Sequence, residues 1–190
     1  MHYAFTPALK LVVSMFDIDK PYYGLDDANV FRELGEERHR GLELSLAGEL
    51  VDGLNVVVGT VLQKPRVCGE EVASGRIGKI PVAQTERLTI ASADYRLPWL
   101  QGLSVDATVT SVDDRMASGD NRVSIPARSV LDLGARYRFK IGRAPTTVRL
   151  SFGNVFDKFG WRTSQSEVFV TNAPRRLSIS IAADFLGSEP

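Results

Sequence analysis

The feature that most constrains the fold of this chain is a two-residue hydrophobic period that recurs along most of its length. Leu42, Leu44 and Leu46, for example, alternate with polar or charged residues. Because successive side chains of a β-strand point to opposite faces, this alternation predicts strands with one apolar and one polar face. No segment of similar length has a clean helical period. The sequence therefore predicts an all-β fold.

Eight segments carry the strand pattern, six of them regularly and the first and fourth less so. They lie around residues 8–19, 42–50, 54–62, 83–97, 103–110, 131–139, 148–152 and 176–185. With their flanks, the predicted strands are about 10 to 14 residues long, whereas strands of globular proteins usually have about 5 to 6. A tilted strand needs about 9 to 11 residues to cross a bilayer. These lengths favour a transmembrane β-barrel.

The predicted connections alternate between long and short. The long ones are Lys20–Glu36, Pro65–Pro81, Asp113–Pro126 and Lys158–Ala173, and the short ones lie at 51–53, 98–102 and 140–145. In an antiparallel, up-and-down sheet this order places all the long loops at one end of the strands. Transmembrane β-barrels have this asymmetry, with short periplasmic turns and longer extracellular loops.

The two predicted faces of the sheet differ in polarity. One carries Leu, Val, Ile and Phe, and in a membrane barrel it would contact lipid. The other carries charged and hydroxyl side chains and would line the lumen, where Asp132, Arg136, Arg138 and Arg149 are expected. A soluble antiparallel sheet with one buried face has the same alternation, so the pattern alone leaves that alternative open.

Composition excludes other classes of protein. The 190 residues include 23 basic and 23 acidic side chains, so there is no excess of positive charge for binding nucleic acid. Hydrophobic residues make up 44 %, which is too many for a disordered chain. No apolar run approaches the roughly 18 residues of a membrane-spanning helix. The first residues also lack the pattern of a signal peptide, so none is expected.

The sequence contains no recognisable catalytic or metal-binding constellation. His2 and His39 are isolated, and Cys68 is the single cysteine, so the spacings of zinc sites and of Cys–His nucleophiles are missing. The acidic segment 113–121 lacks the alternating ligands and the closing Glu of an EF-hand loop. We therefore expect no enzyme activity, no cofactor and no metal site.

Two groups of polar residues have structural interpretations. Glu43 shares the polar face with Gly41 near the start of a predicted strand, where it could pair with arginines of neighbouring strands or remain a solvated charge. Asn154 and Asp157 bracket the end of another strand, and such side chains often cap or turn the backbone where a strand ends.

Several motifs, in order, resemble those of TonB-dependent outer-membrane receptors. Residues 35–43 read Gly-Glu-Glu-Arg-His-Arg-Gly-Leu-Glu, which is the most specific part, and residues 16–23 precede them with Phe-Asp-Ile-Asp-Lys-Pro-Tyr-Tyr. Residues 131–139 and the Asn-Val-Phe-Asp-Lys sequence at 154–158 also fit, and the last strand ends on the aromatic Phe185. The first two motifs are most similar to the ferric-siderophore branch of the family.

The resemblance implies a C-terminal part of a larger transport protein in the outer membrane of a Gram-negative bacterium. Members have a barrel of 22 strands, an N-terminal plug domain and a segment that contacts TonB. Residues 1–185 would supply about the last eight strands of the barrel, and residues 186–190 would be a tail. The implied partners are the lipid bilayer, the plug domain, the TonB complex and a ferric siderophore or similar chelate.

The resemblance also draws attention to the long loops, although it does not identify the ligand-binding residues. Aromatic side chains there could contact a ligand or the membrane interface: Tyr22, Tyr23, Phe31, Trp161 and Phe169. Basic side chains on the same side could attract an anionic chelate: Arg66, Arg76, Lys79 and Arg162. Two alternatives remain, namely a stand-alone eight-stranded outer-membrane barrel with a structural or adhesive role, and a soluble lipocalin-like binding protein.

Overall fold

The computed structural model describes residues 2–6, 8–26, 28–164 and 166–185, and most of them form one antiparallel sheet of nine strands. In spatial order these are β1 (His2–Thr6), β2 (Leu9–Leu25), β3 (Phe31–Val51), β4 (Leu54–Cys68), β5 (Arg87–Arg96), β6 (Leu103–Val112), β9 (Arg128–Ile141), β10 (Ala144–Gly153) and β13 (Arg176–Ala183). Each strand pairs with the next along the chain, apart from short elements in the loops. The predicted all-β, up-and-down architecture is confirmed, with β1 as an additional strand.

The long connections carry the remaining elements. These are β7 (Arg115–Met116) paired with β8 (Ser124–Ile125), β11 (Trp161–Thr163) paired with β12 (Phe169–Thr171), and the single-turn helix α1 (Glu70–Ala73). Within the described ranges no helix is long and apolar enough to span a bilayer, a finding that does not bear on proteins that cross with strands. The predicted tail, 186–190, lies outside the described residues.

The prediction of a long loop at Lys20–Glu36 is wrong. β2 continues to Leu25 and β3 begins at Phe31, so an extended hairpin occupies most of that range. The second predicted loop also begins later than expected, because β4 continues to Cys68. Beyond the apolar part of these strands apolar and polar residues no longer alternate, but the backbone pairing of β2 with β3 and of β3 with β4 continues. The other long connections lie at the predicted end of the sheet.

The opposite end of the sheet has the expected short turns. Gly53, between β3 and β4, has a φ of 79°, and Gly142, between β9 and β10, has a φ of 63°. Such left-handed backbone conformations favour glycine because they place a Cβ close to the following carbonyl. The alternation of long and short connections is therefore present, with the β2–β3 hairpin replacing one long loop.

The strand register places the predicted residues on two distinct faces. Val105 of β6 lies opposite Ala135 of β9, which lies opposite Leu150 of β10, and Leu150 lies opposite Ile179 of β13. We call this side the apolar face. Their sequence neighbours, including Asp106, form the polar face.

No second layer of the described chain covers the apolar face. Ile179 and Ile181 are 66 % and 69 % exposed, and Leu150, between two strands, is still 40 % exposed. The buried apolar side chains of the described residues are instead few: Leu9, Leu34, Pro65, Val67, Pro81, Val82, Ala117, Ile125 and Ala144. A soluble lipocalin-like fold or sandwich would bury its apolar face, so the structure does not favour that alternative.

The apolar face approaches the height of the apolar band of a transmembrane barrel, which is about 25 Å. On β9 it runs from Leu131 to Phe139, about 26 Å along the strand, which a tilt of about 40° reduces to about 20 Å of height. Its lower end, near the short turns, carries a Tyr137–Phe139 stack with ring centroids 5.5 Å apart. Toward the long loops, the same face of β2 and β3 carries ion pairs in place of apolar side chains. In one of them Arg40 Nε lies 3.0 Å from Asp17 Oδ2.

Candidate ligand-binding site

A cavity of about 790 Å³ lies at the end of the sheet that carries the long loops. The β2–β3 hairpin forms one side, and residues of the 69–86, 113–127 and 164–168 segments form the rest. This volume is within the range of small-molecule sites, about 300 to 1,000 Å³. The principal lining residues are Lys20, Tyr22, Tyr23, Phe31, Leu34, Glu37, Pro81, Val82 and Glu167.

The aromatic side of the cavity is built by a bulge in the hairpin. The register shifts at Tyr22 and Tyr23, which pair with Gly35 and Glu33, so Leu34 is the extra residue of β3. Both consecutive tyrosines line the cavity. The Tyr23 ring stacks on Phe31, with centroids 5.8 Å apart and planes at 19°.

The floor of the cavity is a buried polar network. Glu37 Oε2 lies 3.2 Å from Lys20 Nζ, and Glu37 Oε1 lies 2.6 Å from His39 Nε2. His39 Nδ1 lies 3.0 Å from Gln63 Oε1, while Gln63 Nε2 donates to the Thr85 carbonyl at 2.9 Å. Glu37 and His39 are only 3 % and 8 % exposed. The network joins β2, β3, β4 and the loop before β5.

Of the five aromatic residues that the sequence suggested, three line the cavity and two do not. Tyr22, Tyr23 and Phe31 belong to its wall. Trp161 and Phe169 belong instead to the β11–β12 hairpin, where Trp161 lies edge-on to Phe159 with centroids 5.6 Å apart.

The four basic residues expected to attract an anionic chelate are not among the lining residues of the cavity. Arg76 Nε donates to Glu71 Oε2 at 2.5 Å, and Arg76 Nη1 donates to the Leu25 carbonyl at 3.2 Å. Arg66 pairs with Glu86 at 3.4 Å. The structure therefore does not bring Arg66, Arg76, Lys79 and Arg162 together around this site.

Negative charge predominates near the tyrosines. Burial is the main cause that raises the pKa of Tyr22, which lies where β2 projects beyond the apolar face, and the charges of Glu37 and Glu167 raise it further. Glu167 Oε1 accepts a hydrogen bond from the Gly119 backbone N–H at 2.9 Å. The cavity wall thus disfavours a negative charge at Tyr22.

A charged latch fixes the tip of the hairpin to α1. Arg32 Nε donates to Asp26 Oδ2 at 2.7 Å and Arg32 Nη2 donates to Glu71 Oε1 at 3.1 Å. The hydrogen bond from Arg32 lowers the pKa of Asp26, and the hydrogen bond from Arg76 lowers the pKa of Glu71. The latch, Asp26, Arg32, Glu71 and Arg76, holds the cavity wall in place.

The remaining loops are tied to one another by asparagines. Asn121 accepts from the Ile80 N–H at 2.8 Å and donates to the Ile80 carbonyl at 2.7 Å, so it joins two loops. Asn154 is buried, accepts from the Lys158 N–H at 2.9 Å and donates to the Ala173 carbonyl at 3.2 Å. This is the backbone-capping role that the sequence suggested for Asn154.

On the polar face, four charges form a lattice over adjacent strands. Asp94 and Asp106 lie directly opposite each other, as do Arg136 and Arg149. Arg136 donates to Asp94, and Arg149 Nη2 donates to both carboxylate oxygens of Asp106 at 3.3 Å. Each arginine reaches across one strand, and the Asp106 carboxylate lies over Gly134 of β9. We call these four residues the lumenal charge lattice.

Glu43 also lies on the polar face, beside a depression of about 300 Å³ that is lined by Phe16 and Val61. The expected pairing of Glu43 with arginines of neighbouring strands is not formed among the described residues. His39, which the sequence left isolated, borders the same depression. Cys68 is exposed, and the described part of the chain contains no cluster that could hold a metal ion.

A long-stranded antiparallel sheet with a bare apolar face, a charged opposite face and a loop-enclosed cavity defines the wall of an outer-membrane barrel. A family described as "TonB dependent receptor-like, beta-barrel" matches residues 8–156. The chain belongs to this family of TonB-dependent receptors, which are transport proteins of the outer membrane.

Two relatives show how much of a receptor the chain represents. It is 27 % identical over 176 residues to the ferrichrome receptor FcuA of Yersinia enterocolitica, covering 91 % of this chain and 23 % of that receptor. The crystal structure of BauA, the ferric preacinetobactin receptor of Acinetobacter baumannii, matches with a TM-score of 0.83 and 26 % identity over 97 % of this chain and 28 % of BauA. The chain thus spans about a quarter of these relatives.

The fold extends to more distant receptors. The pyoverdine outer-membrane receptor FpvA of Pseudomonas aeruginosa, bound to pyoverdine, matches with a TM-score of 0.73 and 20 % identity, over 94 % of this chain and 27 % of FpvA. These comparisons confirm the fold class and the outer-membrane location. The polar face is accordingly the lumenal face of a barrel wall.

Proposed function

We propose that the chain forms part of the barrel wall and the extracellular loops of a TonB-dependent receptor that takes up a ferric siderophore or a similar chelate. The cavity at the loop end is then the chain's share of the ligand-binding site. The Tyr23–Phe31 stack on its wall is the observation that carries this proposal, because exposed, stacked aromatics in a concave site bind organic ligands.

The proposed partners follow from the two faces. Lipid covers the apolar face, and a plug domain occupies the lumen beside Glu43, whose carboxylate is exposed there. Energy delivered through the TonB complex would move the plug and open a path for the ligand. Residues 1–185 would act as a segment of the barrel, and residues 186–190 as a tail.

A stand-alone eight-stranded barrel is the less favoured alternative. Closure of such a barrel would pair its first and last strands, whereas β1 and β13 are at opposite edges of the described sheet. The similarity to ferric receptors also supports a wall segment over an independent structural or adhesive barrel.

The test compares two aromatic stacks of the same geometry. The chain is refolded in detergent micelles, and binding of a ferric hydroxamate chelate is followed by quenching of tryptophan fluorescence. Replacing Tyr23 and Phe31 by Ala removes the aromatic surface that would contact the chelate. An aromatic contact worth about 0.5–1.5 kcal/mol corresponds to a fall in affinity of about 2- to 13-fold. Replacing Tyr137 and Phe139, which are stacked at the opposite end, is the control.

The two double variants give distinct outcomes. Weaker binding by the Tyr23/Phe31 variant, with unchanged binding by the Tyr137/Phe139 variant, supports the cavity as the ligand site. Equal affinities for all three proteins would place the ligand elsewhere. Absence of saturable binding to the parent chain would contradict its proposed role in ligand capture.

A further inference from the structure

The ionic groups that line the cavity leave it without an available positive charge. Lys20 is the one cation among its lining residues, and its Nζ lies 3.2 Å from the Glu37 carboxylate. The second lining carboxylate, Glu167, accepts a hydrogen bond from a neutral backbone N–H and has no ion pair among the described residues. The lining therefore has a surplus of one negative charge.

Nearby cations do not compensate for that surplus. Arg32 is bound by Asp26 and Glu71, and Arg76 is bound by Glu71, so each guanidinium already has a carboxylate partner. Neither belongs to the lining of the cavity. His39 lies behind Glu37 and is 8 % exposed, so it does not contact the interior directly.

The rest of the lining is apolar or aromatic. Leu34, Pro81 and Val82 are buried against the hairpin, and the Tyr23–Phe31 stack forms the exposed wall. An anion that enters such a site loses hydration and must be paired to recover the cost. Tyr22 shows the same tendency, because burial and the two carboxylates raise its pKa.

We propose that this cavity selects a ferric chelate that has no net negative charge and an apolar or aromatic outer surface. This inference rests on the proposed function and specifies the ligand class. Iron(III) bound by three monoanionic bidentate groups, such as hydroxamates, is electrically neutral. Iron(III) bound by three catecholate dianions carries a charge of three minus, and ferric citrate complexes are also anionic.

The experiment measures the affinity of the refolded chain for three probes at pH 7.5. The probes are a neutral ferric trihydroxamate, a ferric tris-catecholate and ferric citrate. The neutral chelate should bind at least about tenfold more tightly than either anion, corresponding to about 1.4 kcal/mol. The difference should decrease at high salt, because screening weakens repulsion from Glu167.

A matched pair of variants isolates the charge of the cavity. Glu167→Gln should tighten binding of the anionic chelates severalfold and leave the neutral chelate nearly unchanged. Glu33→Gln removes an exposed carboxylate of the β2–β3 hairpin that is not part of the cavity lining. It should therefore change neither the affinity for the anionic chelates nor that for the neutral chelate.

The outcomes separate this inference from the proposed function. Binding of the anionic chelates as tight as that of the neutral one, or no response to Glu167→Gln, would overturn the charge selection while leaving ligand capture intact. Failure of all three chelates to bind would remove the proposed function and this inference with it.

Discussion

Gly134 leaves room for the lumenal charge lattice, and its replacement by alanine tests that role. Arg149 reaches from β10 across β9 to Asp106 on β6, and the Asp106 carboxylate lies over Gly134 of β9. A Cβ at position 134 would overlap the Asp106 carboxylate. That carboxylate must therefore move, and its two 3.3 Å hydrogen bonds from Arg149 would be lost.

Two opposing terms set the size of the effect. The side chains of Arg149 and Asp106 are 42 % and 22 % exposed, so their ion pair contributes only about 0.2–1 kcal/mol. Replacing a strand glycine by alanine stabilises by about 0.5–1 kcal/mol. We expect Gly134→Ala to change the free energy of unfolding by less than about 1 kcal/mol in the parent chain. In an Arg149→Met background it should stabilise by about 0.5–1 kcal/mol.

The assay is urea unfolding of the chain in detergent micelles, followed by tryptophan fluorescence, for the four proteins of a double-mutant cycle. Gly59→Ala provides the control, because a Cβ at position 59 meets no atom within 4 Å. It should stabilise both backgrounds equally. The reasoning would be refuted if Gly134→Ala also had the same effect in both backgrounds to within about 0.3 kcal/mol.

Three further predictions test other parts of the structure. Asn154→Ala should lower the free energy of unfolding by about 1–3 kcal/mol, because it removes the hydrogen bonds of a buried side chain to the Lys158 and Ala173 backbone; unchanged urea unfolding would exclude the capping role. The lowered pKa of Glu71 means that its contact with Arg76 stabilises above the ordinary value of 4.5 and is lost as pH falls through the lowered pKa. Hydrogen-exchange protection of α1 should fall accordingly in acid, and Glu71→Gln should abolish that dependence. In lipid vesicles, Ile179→Arg on the apolar face should cost about 2–4 kcal/mol more than Ser178→Arg on the polar face. Equal costs would contradict the assignment of the faces, and a larger cost for Ser178→Arg would reverse it.

The sequence predicted the membrane-spanning parts of the strands well, because the surroundings of their two faces determine which residue types can occupy each position. Lipid on one side and a polar lumen on the other require strict alternation, as in 103–110 and 131–139. The same requirement fixes register, since a shift of one residue would turn charged side chains such as Arg136 toward lipid. Both the faces and the strand order could therefore be predicted.

The extended β2–β3 hairpin could not be predicted in the same way. Residues 20–25 and 31–36 lie beyond the apolar face, where both sides of the hairpin meet water or the cavity. Alternation is no longer required there, so the hydrophobic pattern predicted a loop over Lys20–Glu36. Backbone pairing nevertheless continues, with one extra residue, Leu34, accommodated by a bulge.

The pairing of individual charged side chains also could not be predicted from the sequence. Glu37 binds His39 two residues away, but the network is completed by Gln63, which is 24 residues from His39. Arg76 was expected to attract an anionic ligand, yet Glu71 is close enough to neutralise it. Short-range alternation carries no information about such pairs, because they depend on which strands become neighbours and on loop conformation.

Exposure along the apolar face indicates where the wall continues. Leu150 of β10 has a strand on each side and is 40 % exposed, whereas Ile179, directly opposite on β13, is 66 % exposed. Within the described residues β13 pairs with β10 alone, so the difference reflects surface that a further strand would cover. An unpaired edge beside a bare apolar face favours aggregation in water. The relatives are about four times as long as this chain, so a receptor of that length has further residues that could cover such an edge.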